Sequence, residues 1–387
     1  MPTRIAVGVS ESFDSVEAFT EAAVEARRGL DGTACDLCLL FAGAPHLAHS
    51  KWVLSSVHDE LSPGTLIGCG AGGVVGPGRE LEEGPGAVVW AASLPGATIE
   101  ARRLSLGGST EEPEVEGLGD PADLGETLLV LADPHSFPTD ALLRRLNAER
   151  PGMPVLGGLA SAAAAGSASL FLDGDVVHSG AVACSLSGAA VLPCVSQGAT
   201  PVGPEMTITA AEENVITELA SVPAIERLRE AIGALPPAER ELAASGLMLG
   251  LVIDENQPDY ERGDFLVRPV IGADPEAGSV AIGERVRVGQ IVRMHVRDGA
   301  SADEDLREAL RIGVAALGSA PAAGALLFTC NGRGAHMFST PDHDAGAIGA
   351  AIGAPVGGFF CAGEIGPVGG RNFLHGFTAT MALFPAE

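Results

Sequence analysis

A unit made of an apolar strand, a helix-compatible stretch, a glycine-rich element and a closing strand occurs three times in this chain of 387 residues. The spacing between its parts is nearly constant. Equivalent loops are therefore expected at equivalent places of a sheet, and loops at the carboxyl ends of strands are common ligand sites. The opening strands are residues 36–43, 127–133 and 325–330, the glycine-rich elements are 66–70, 155–158 and 356–358, and the closing strands begin at Gly86, Gly180 and Gly376.

The stretch between the second and third units has a different pattern. Residues 211–244 favour helices, and residues 265–297 alternate with the period of two that is typical of antiparallel strands. Gly, Pro and Thr cluster at 195–205, which marks a boundary. We therefore predict an α+β fold of two domains, 1–197 and 198–387, whose mixed, largely antiparallel sheets are covered by helices in a layered sandwich.

The charge of the chain restricts its partners. Its 50 acidic and 23 basic residues give a formal net charge of −27. A field of this sign repels phosphate backbones and anionic membranes, so we expect neither nucleic acid nor membrane as a partner. Lys51 is the only lysine, which is typical of a GC-rich bacterial genome.

The cysteines indicate a reducing compartment. There are seven, an odd number, and they lie scattered in apolar runs rather than in a disulfide framework. The N-terminal residues do not have the pattern of a signal peptide. We therefore predict a cytoplasmic location.

Two motifs of the N-terminal half suggest cofactors, and their context argues against both. Residues 68–73 match G-x-G-x-x-G, but the Val-Val-Gly-Pro-Gly sequence of residues 74–78 excludes the helix that a dinucleotide site needs. Cys35 and Cys38 form a CxxC that falls on a predicted strand, whereas zinc knuckles lie on turns. We predict no cofactor and no metal.

The third unit differs from the other two in its chemistry. Thiols, a carboxylate, guanidinium groups, amides and an imidazole gather on its loops, where the other units hold mostly Gly, Ala and Ser. These residue types suit a polar ligand site. The candidate ligand-binding residues are Cys330, Asn331, Arg333, Phe360, Cys361, Gly363, Glu364, Arg371, Asn372 and His375.

The spacing of the units assigns equivalent positions to the two thiols. Gly43 and Asp133 match Cys330, and Gly72 and Ser161 match Cys361. If the units superpose, the loops that follow the two thiols meet at one sheet edge and line one pocket.

The motifs around this cluster resemble those of the FIST (F-box and intracellular signal transduction) family. Residues 326–334, 356–367 and 374–379 are similar to FIST C-terminal domains, and residues 66–70 with the loop that follows are similar to FIST N-terminal domains. The resemblance implies an intracellular sensory module that binds small ligands such as amino acids and acts with a signalling protein partner.

Three hypotheses fit the cluster. In a ligand site, Glu364 holds an ammonium group and Arg333 or Arg371 holds a carboxylate. In a structural cluster, Glu364 forms a salt bridge with one of these arginines and pins the loops. In a cysteine-dependent enzyme, Cys330 or Cys361 is the nucleophile, and His375 or His336 is the base.

Overall fold

The structure is a computed structural model that describes residues 2–108, 113–162 and 169–386. It divides into two compact units, and the first combines Met1–Val195 with Arg307–Glu387, while the second is Ser196–Leu306. The predicted division at 197/198 follows the sequence repeats and stays a prediction. In the structure, residues 307–387 belong to the first compact unit, because their strands pair with strands of the N-terminal segment.

Single strands and runs of consecutive strands are separated by single helices or pairs of helices along the chain. In the N-terminal segment they are β1 (Arg4–Ser10), α1 (Ser15–Gly29), β2 (Leu37–Gly43), α2 (Ser50–Leu61), β3 (Thr65–Ala71), β4 (Val74–Gly76), β5 (Arg79–Leu81), β6 (Ala87–Ser93), β7 (Thr98–Gly108), β8 (Pro113–Glu116), β9 (Thr127–Ala132), α3 (Thr139–Glu149), β10 (Val155–Leu159), β11 (Leu170–Leu172), β12 (Asp175–Val177) and β13 (Ala181–Ser187). The middle segment has β14 (Leu192–Ser196), β15 (Thr200–Glu212), β16 (Val215–Leu219), β17 (Val222–Pro223), α4 (Ala224–Ala234), α5 (Pro237–Ser245), β18 (Met248–Val252), β19 (Phe265–Asp274), β20 (Ser279–Ile282), β21 (Ile291–Val296) and α6 (Gly299–Ala316). The C-terminal segment has β22 (Ala322–Cys330), α7 (Ala335–Phe338), α8 (His343–Ile352), β23 (Val356–Cys361), β24 (Glu364–Val368), β25 (Arg371–His375) and β26 (Ala379–Pro385).

The first unit contains three sheets of the same plan, one for each repeat. Each has a central parallel pair, β2–β3, β9–β10 or β22–β23, whose strands are joined through α2, α3 or α8. The closing strands β6, β13 and β26 lie antiparallel to the opening strands. The repeat predicted from the sequence is thus a repeat of structure.

The hairpin that follows each parallel pair leaves its own repeat and joins the sheet of another. The hairpin β4–β5 pairs with β23, β11–β12 pairs with β3, and β24–β25 pairs with β10. Each sheet is therefore completed by a different repeat. Sequence patterns did not reveal this exchange, because a hairpin pairs through backbone groups that every residue carries.

One glycine in each repeat allows the parallel strands to lie close together. A Cβ atom on Gly68, Gly157 or Gly358 would lie 2.2, 1.9 or 1.8 Å from the carbonyl oxygen of Leu40, Val130 or Leu327, respectively. These glycines are equivalent and fix the alignment of the repeats. Cys330 pairs with Cys361 as Gly43 pairs with Ala71, so the counterpart of Cys361 in the first repeat is Ala71, one residue before the predicted Gly72.

Side chains from all three sheets share one apolar core. Phe41 stacks on Phe359 with ring centroids 4.9 Å apart, and Leu129 belongs to the same buried cluster. The opposite face of the first sheet is covered by α1 and α2, and α3 covers the second sheet. Helices thus cover sheets, as predicted.

The second unit is built on antiparallel strands. Its sheet has the order β15-β21-β18-β19-β20-β16-β17, and β15 also pairs with β16, which closes the sheet on itself. The antiparallel strands predicted within 265–297 are confirmed as β19, β20 and β21. The helical prediction for 211–244 is correct for α4 and α5 but wrong for 215–219, where Val-Ile-Thr-Glu-Leu forms β16 because its β-branched residues suit a half-buried strand.

The α+β fold with mixed sheets is confirmed. Among the described residues, no helix is both long and apolar enough to cross a membrane.

Replacing Gly358 by Ala tests the close approach of the parallel strands. Because the new Cβ would overlap the Leu327 carbonyl, we expect the free energy of unfolding to fall by at least about 3 kcal/mol. Urea denaturation measures this loss. Gly349→Ala on α8 is the control, since its Cβ meets nothing within 4 Å, and it should stabilise by up to about 1 kcal/mol. Equal stabilities of the two variants would contradict the account.

Candidate functional site

The candidate residues converge where β22 and β23 end. Cys330 and Cys361 are direct partners on these two strands, and the Asn331 amide donates to the Cys361 carbonyl at 2.9 Å. Glu364 begins β24 directly after the two-residue bend of Ala362 and Gly363, and it pairs with Gly158 of β10 and His375 of β25. Two repeats therefore supply the backbone around the carboxyl group.

Glu364 is a fully buried carboxyl group that is only half satisfied. Its Oε2 accepts hydrogen bonds from the Thr378 amide at 3.0 Å and from the Thr378 hydroxyl at 2.8 Å. Its Oε1 is buried and has no hydrogen-bond partner among the described residues. A buried polar atom of this kind is costly. Other buried side chains of the described residues share this state, among them Glu80 through its Oε2.

Burial sets the protonation of this group. It raises the pKa of Glu364 to about 8, although the Thr378 hydrogen bonds, the adjacent Cys330 thiol and the Arg333 charge lower it. The carboxyl group is therefore mostly protonated at neutral pH. An ammonium group that displaced this proton would have to supply the cost of ionisation, about 1.4 kcal/mol per pH unit below the pKa.

The thiols of the cluster are not activated. Burial and the neighbouring Glu364 carboxyl raise the pKa of Cys330 to about 11, and burial raises the pKa of Cys361 well above its ordinary value. A nucleophilic cysteine needs a lowered pKa. Of the two proposed bases, His375 places its Nε2 3.0 Å from the Gly366 carbonyl oxygen, and His336 is exposed on α7.

Arg333 belongs to a buried ion pair. Its Nε and Nη2 contact the two carboxylate oxygens of Asp344 at 2.7 and 2.9 Å, and both side chains are at most 1% exposed. Burial alone would raise the pKa of Asp344, but the Arg333 charge and the hydrogen bonds from Arg333, His343 and Thr329 hold it well below its ordinary value. The salt bridge shown for Arg333 thus has Asp344, and not Glu364, as its partner.

The other candidates divide between the cluster and its supports. Gly363 packs against Leu159 and leads into Glu364, and the carbonyl of the buried Phe360 accepts a hydrogen bond from the Ser161 hydroxyl. Asn372 is structural, since its side-chain oxygen accepts from the Val155 amide at 2.8 Å and its side-chain nitrogen donates to the Met153 carbonyl at 2.8 Å.

Two candidates lie at the surface. Arg371 is exposed at the start of β25, where its guanidinium lies 5.5 Å from the Phe373 ring centroid. Asn331 is exposed beside the half-buried Cys330. The cluster therefore reaches the surface at Cys330 and Asn331.

A strained residue lies next to the cluster. Phe377 has a φ of 64° and a side chain that is 45% exposed, and its ring covers Gly332. A positive φ is unfavourable for a bulky residue, and such strain is often kept at ligand-binding turns. Its carbonyl accepts from Arg333 Nη1 at 3.5 Å, which ties the turn to the buried ion pair.

Sequence reasoning missed Asp344, Thr378 and Phe377. Asp344 stands in the polar run Asp-His-Asp of residues 342–344, a signal that was available, and Thr378 stands within the C-terminal motif of residues 374–379. In the N-terminal half, Cys35 and Cys38 are buried free thiols. In the part of the chain that the structure describes, no group of three or more His, Cys, Asp or Glu residues has a geometry that could hold a metal.

Comparison with known proteins identifies two family segments. Residues 36–221 match the FIST N domain and residues 224–367 match the FIST C domain. An uncharacterized protein of Mycobacterium tuberculosis is 44% identical over 383 residues, which cover 98% of this chain and 99% of that protein. An uncharacterized protein of Mycobacterium bovis is 43% identical over 383 residues, with 98% of each chain covered.

The pH dependence of stability tests the burial of Glu364. Its pKa in the folded state, about 8, lies above the ordinary value of 4.5, so between these values the folded chain holds a proton that the unfolded chain has lost. The contribution of Glu364 to the free energy of unfolding should fall as pH rises through this window, by up to about 1.4 kcal/mol per pH unit. Glu364→Gln should remove that fall. Chemical denaturation of both proteins at several pH values measures it, and the same slope in the variant would contradict the assignment.

The Asp344→Asn variant tests the buried ion pair. Removing the charge leaves Arg333 buried without its counter-ion, so we expect a loss of about 3–5 kcal/mol in the free energy of unfolding. Glu149→Gln is the control, because it removes the charge from an exposed pair with Arg145 and should change stability by less than about 0.5 kcal/mol. Similar small effects of both substitutions would show that the buried pair is not structural.

Proposed function

This chain belongs to the FIST family, and from that premise we propose that it is a sensory protein whose small polar ligand binds at the Cys330–Glu364 cluster. The observation that carries the proposal is the buried Oε1 of Glu364, which has no partner among the described residues. FIST domains are associated with signal transduction and small-ligand sensing. We expect a separate signalling protein to respond to the bound state in the cytoplasm.

The ligand that suits Glu364 carries an ammonium group, as an amino acid does. Thr378 already satisfies Oε2 and holds the carboxyl group in place, so Oε1 is left for the ligand. Arg333 contributes through its charge rather than as a direct carboxylate clamp, because its Nε and Nη2 are bound to Asp344. Arg371 pairs with Val368 at the far end of the β24–β25 hairpin, four residues from Glu364, so it lies too far away to hold the carboxylate of the same small ligand.

The chemistry of the cluster favours binding over catalysis. The Cys330 pKa is raised to about 11, so the thiolate that a nucleophilic mechanism needs is scarce at neutral pH. Cys330 instead contributes a polarisable, half-buried wall beside the carboxyl group.

A thermal-shift screen of amino acids, each paired with the corresponding acid that lacks the amino group, tests the proposal. A true ligand should raise the melting temperature by mass action, and its deaminated partner should not. Glu364→Gln should abolish the shift. It should also raise the melting temperature of the free protein near neutral pH, because Gln resembles the protonated carboxyl group and escapes the loss of stability that the parent undergoes above pH 4.5.

Glu80→Gln is the matched control. Glu80 is also buried, with a pKa raised to about 7 mainly by burial, but it lies on β5 and binds the start of α8. The shift should survive this substitution. A ligand that stabilises Glu364→Gln as strongly as the parent protein would refute the proposed site.

A further inference from the structure

The three crossover helices start against the same position of an exchanged hairpin. The glycine that lets the parallel strands lie close together pairs with one residue on the first strand of the exchanged hairpin. That residue in turn pairs with one residue on the second strand of the hairpin. Because the glycines are equivalent, the residues at the ends of these ladders are equivalent too. The three ladders are Gly68–Phe171–Val176, Gly157–Ile365–Leu374 and Gly358–Val75–Glu80.

In the third repeat, this position supplies a carboxylate to a helix. Glu80 Oε1 accepts a hydrogen bond from the Ala345 amide in the first turn of α8 at 2.8 Å, and its own amide donates to Asp342 Oδ1 at 2.6 Å. Asp342, the residue before α8, makes no hydrogen bond from its side chain to the first turn of the helix. Glu80 therefore fills the role of an N-cap, because its carboxyl oxygen accepts from an amide of the first helical turn.

In the second repeat, the same position is Leu374, and a cavity of about 330 Å³ lies between it and the start of α3. The residue before α3, Pro138, has no side chain that could cap the helix. Thr139 lines the cavity and is only 4% exposed, and its hydroxyl has no hydrogen-bond partner within the described residues. This hydroxyl is an unsatisfied polar group in the place where the third repeat holds a carboxylate.

The rest of the cavity lining indicates what kind of anion fits. Arg144, one turn along α3, lines the cavity and is exposed, and it makes no ion pair with any residue in the described ranges. Asp140 is also exposed at the lining, so a bound anion meets one positive and one negative side chain, and solvent screens both charges. The apolar wall consists of Pro113, Pro134, Phe137, Pro138, Leu159 and Leu374.

We propose that this cavity binds a small carboxylate with a short apolar body, which takes the place that the Glu80 carboxylate holds in the third repeat. The Thr139 hydroxyl donates to the carboxylate, and Arg144 supplies the counter-charge. The Thr139 and Ala141 amides take no part, because they already donate to the Phe137 and Pro138 carbonyls. The apolar body packs against the wall. This site is separate from the Cys330–Glu364 cluster and does not depend on the function proposed for it.

The first repeat has a related cavity of about 410 Å³ that includes Val176. There the 3-10 helix Ala44–His49 leads directly into α2, which begins at Ser50. The start of α2 therefore follows a preceding helical turn instead of facing the cavity with free amides. The second repeat is therefore the one in which a helix start without a side-chain cap faces a cavity.

The probe that tests this proposal is isocaproate, with isocaproamide as its uncharged control. Titration by NMR or calorimetry on the full chain should detect isocaproate binding at concentrations up to about 10 mM and much weaker binding of the amide. No binding of isocaproate in this range, or equal binding of the two probes, would overturn the proposal.

Two variants assign the binding to this cavity. Thr139→Val keeps the side-chain shape and removes the hydroxyl, and Arg144→Gln removes an exposed charge, so both should fold. Each should weaken isocaproate binding by about fivefold or more. Glu364→Gln should leave the affinity unchanged. Unchanged affinity in both α3 variants, or loss of binding in Glu364→Gln, would show that the carboxylate binds elsewhere.

A third variant tests the equivalence with the third repeat. Leu374→Glu puts a carboxylate at the position that is equivalent to Glu80. This side chain should occupy the cavity in place of isocaproate, so isocaproate binding should be lost, whereas Leu374→Gln should retain it in part. If a folded Leu374→Glu protein binds the probe as well as the parent does, the equivalence is wrong. If Leu374→Glu does not fold, the Thr139 and Arg144 variants still decide the proposal.

Discussion

The exchange of hairpins between repeats is the constraint on which the first unit depends. No sheet of that unit is complete within its own repeat, because its last two strands come from another one. In each sheet the parallel strands also lie close together, which Gly68, Gly157 and Gly358 allow. It also joins distant parts of the chain: the Ser161 hydroxyl accepts from the Gly72 amide and donates to the Phe360 carbonyl. The candidate site is therefore held by three repeats at once.

Two buried acids near this junction show how environment assigns different roles to one functional group. Asp344 has a bidentate arginine and keeps its charge, whereas Glu364 has neutral donors on one oxygen and a pKa raised mainly by burial. The first arrangement is stable without a ligand. The second leaves a proton that a cation could replace and an oxygen that has no partner among the described residues.

The sequence predicted what depends on patterns of side chains. The three repeats, the α+β class and the family followed from apolar runs, glycine spacing and motifs. It did not predict the hairpin exchange, which is made by backbone hydrogen bonds, or the pairing of Arg333 with Asp344, which lie on either side of α7. The counterpart of Cys361 was misplaced by one residue, because consecutive glycines at 357 and 358 leave the register open until the partner carbonyl is known. The proposed ligand role of the cluster residues remains a prediction.

Proton release on ligand binding tests the central claim most directly. If an ammonium group replaces the proton of Glu364, calorimetry at pH 7 in buffers of different ionisation enthalpy should show release of close to one proton per ligand bound, because a group with a pKa of about 8 is mostly protonated there. The Glu364→Gln variant should release none. Binding with no net proton release by the parent protein would contradict the account.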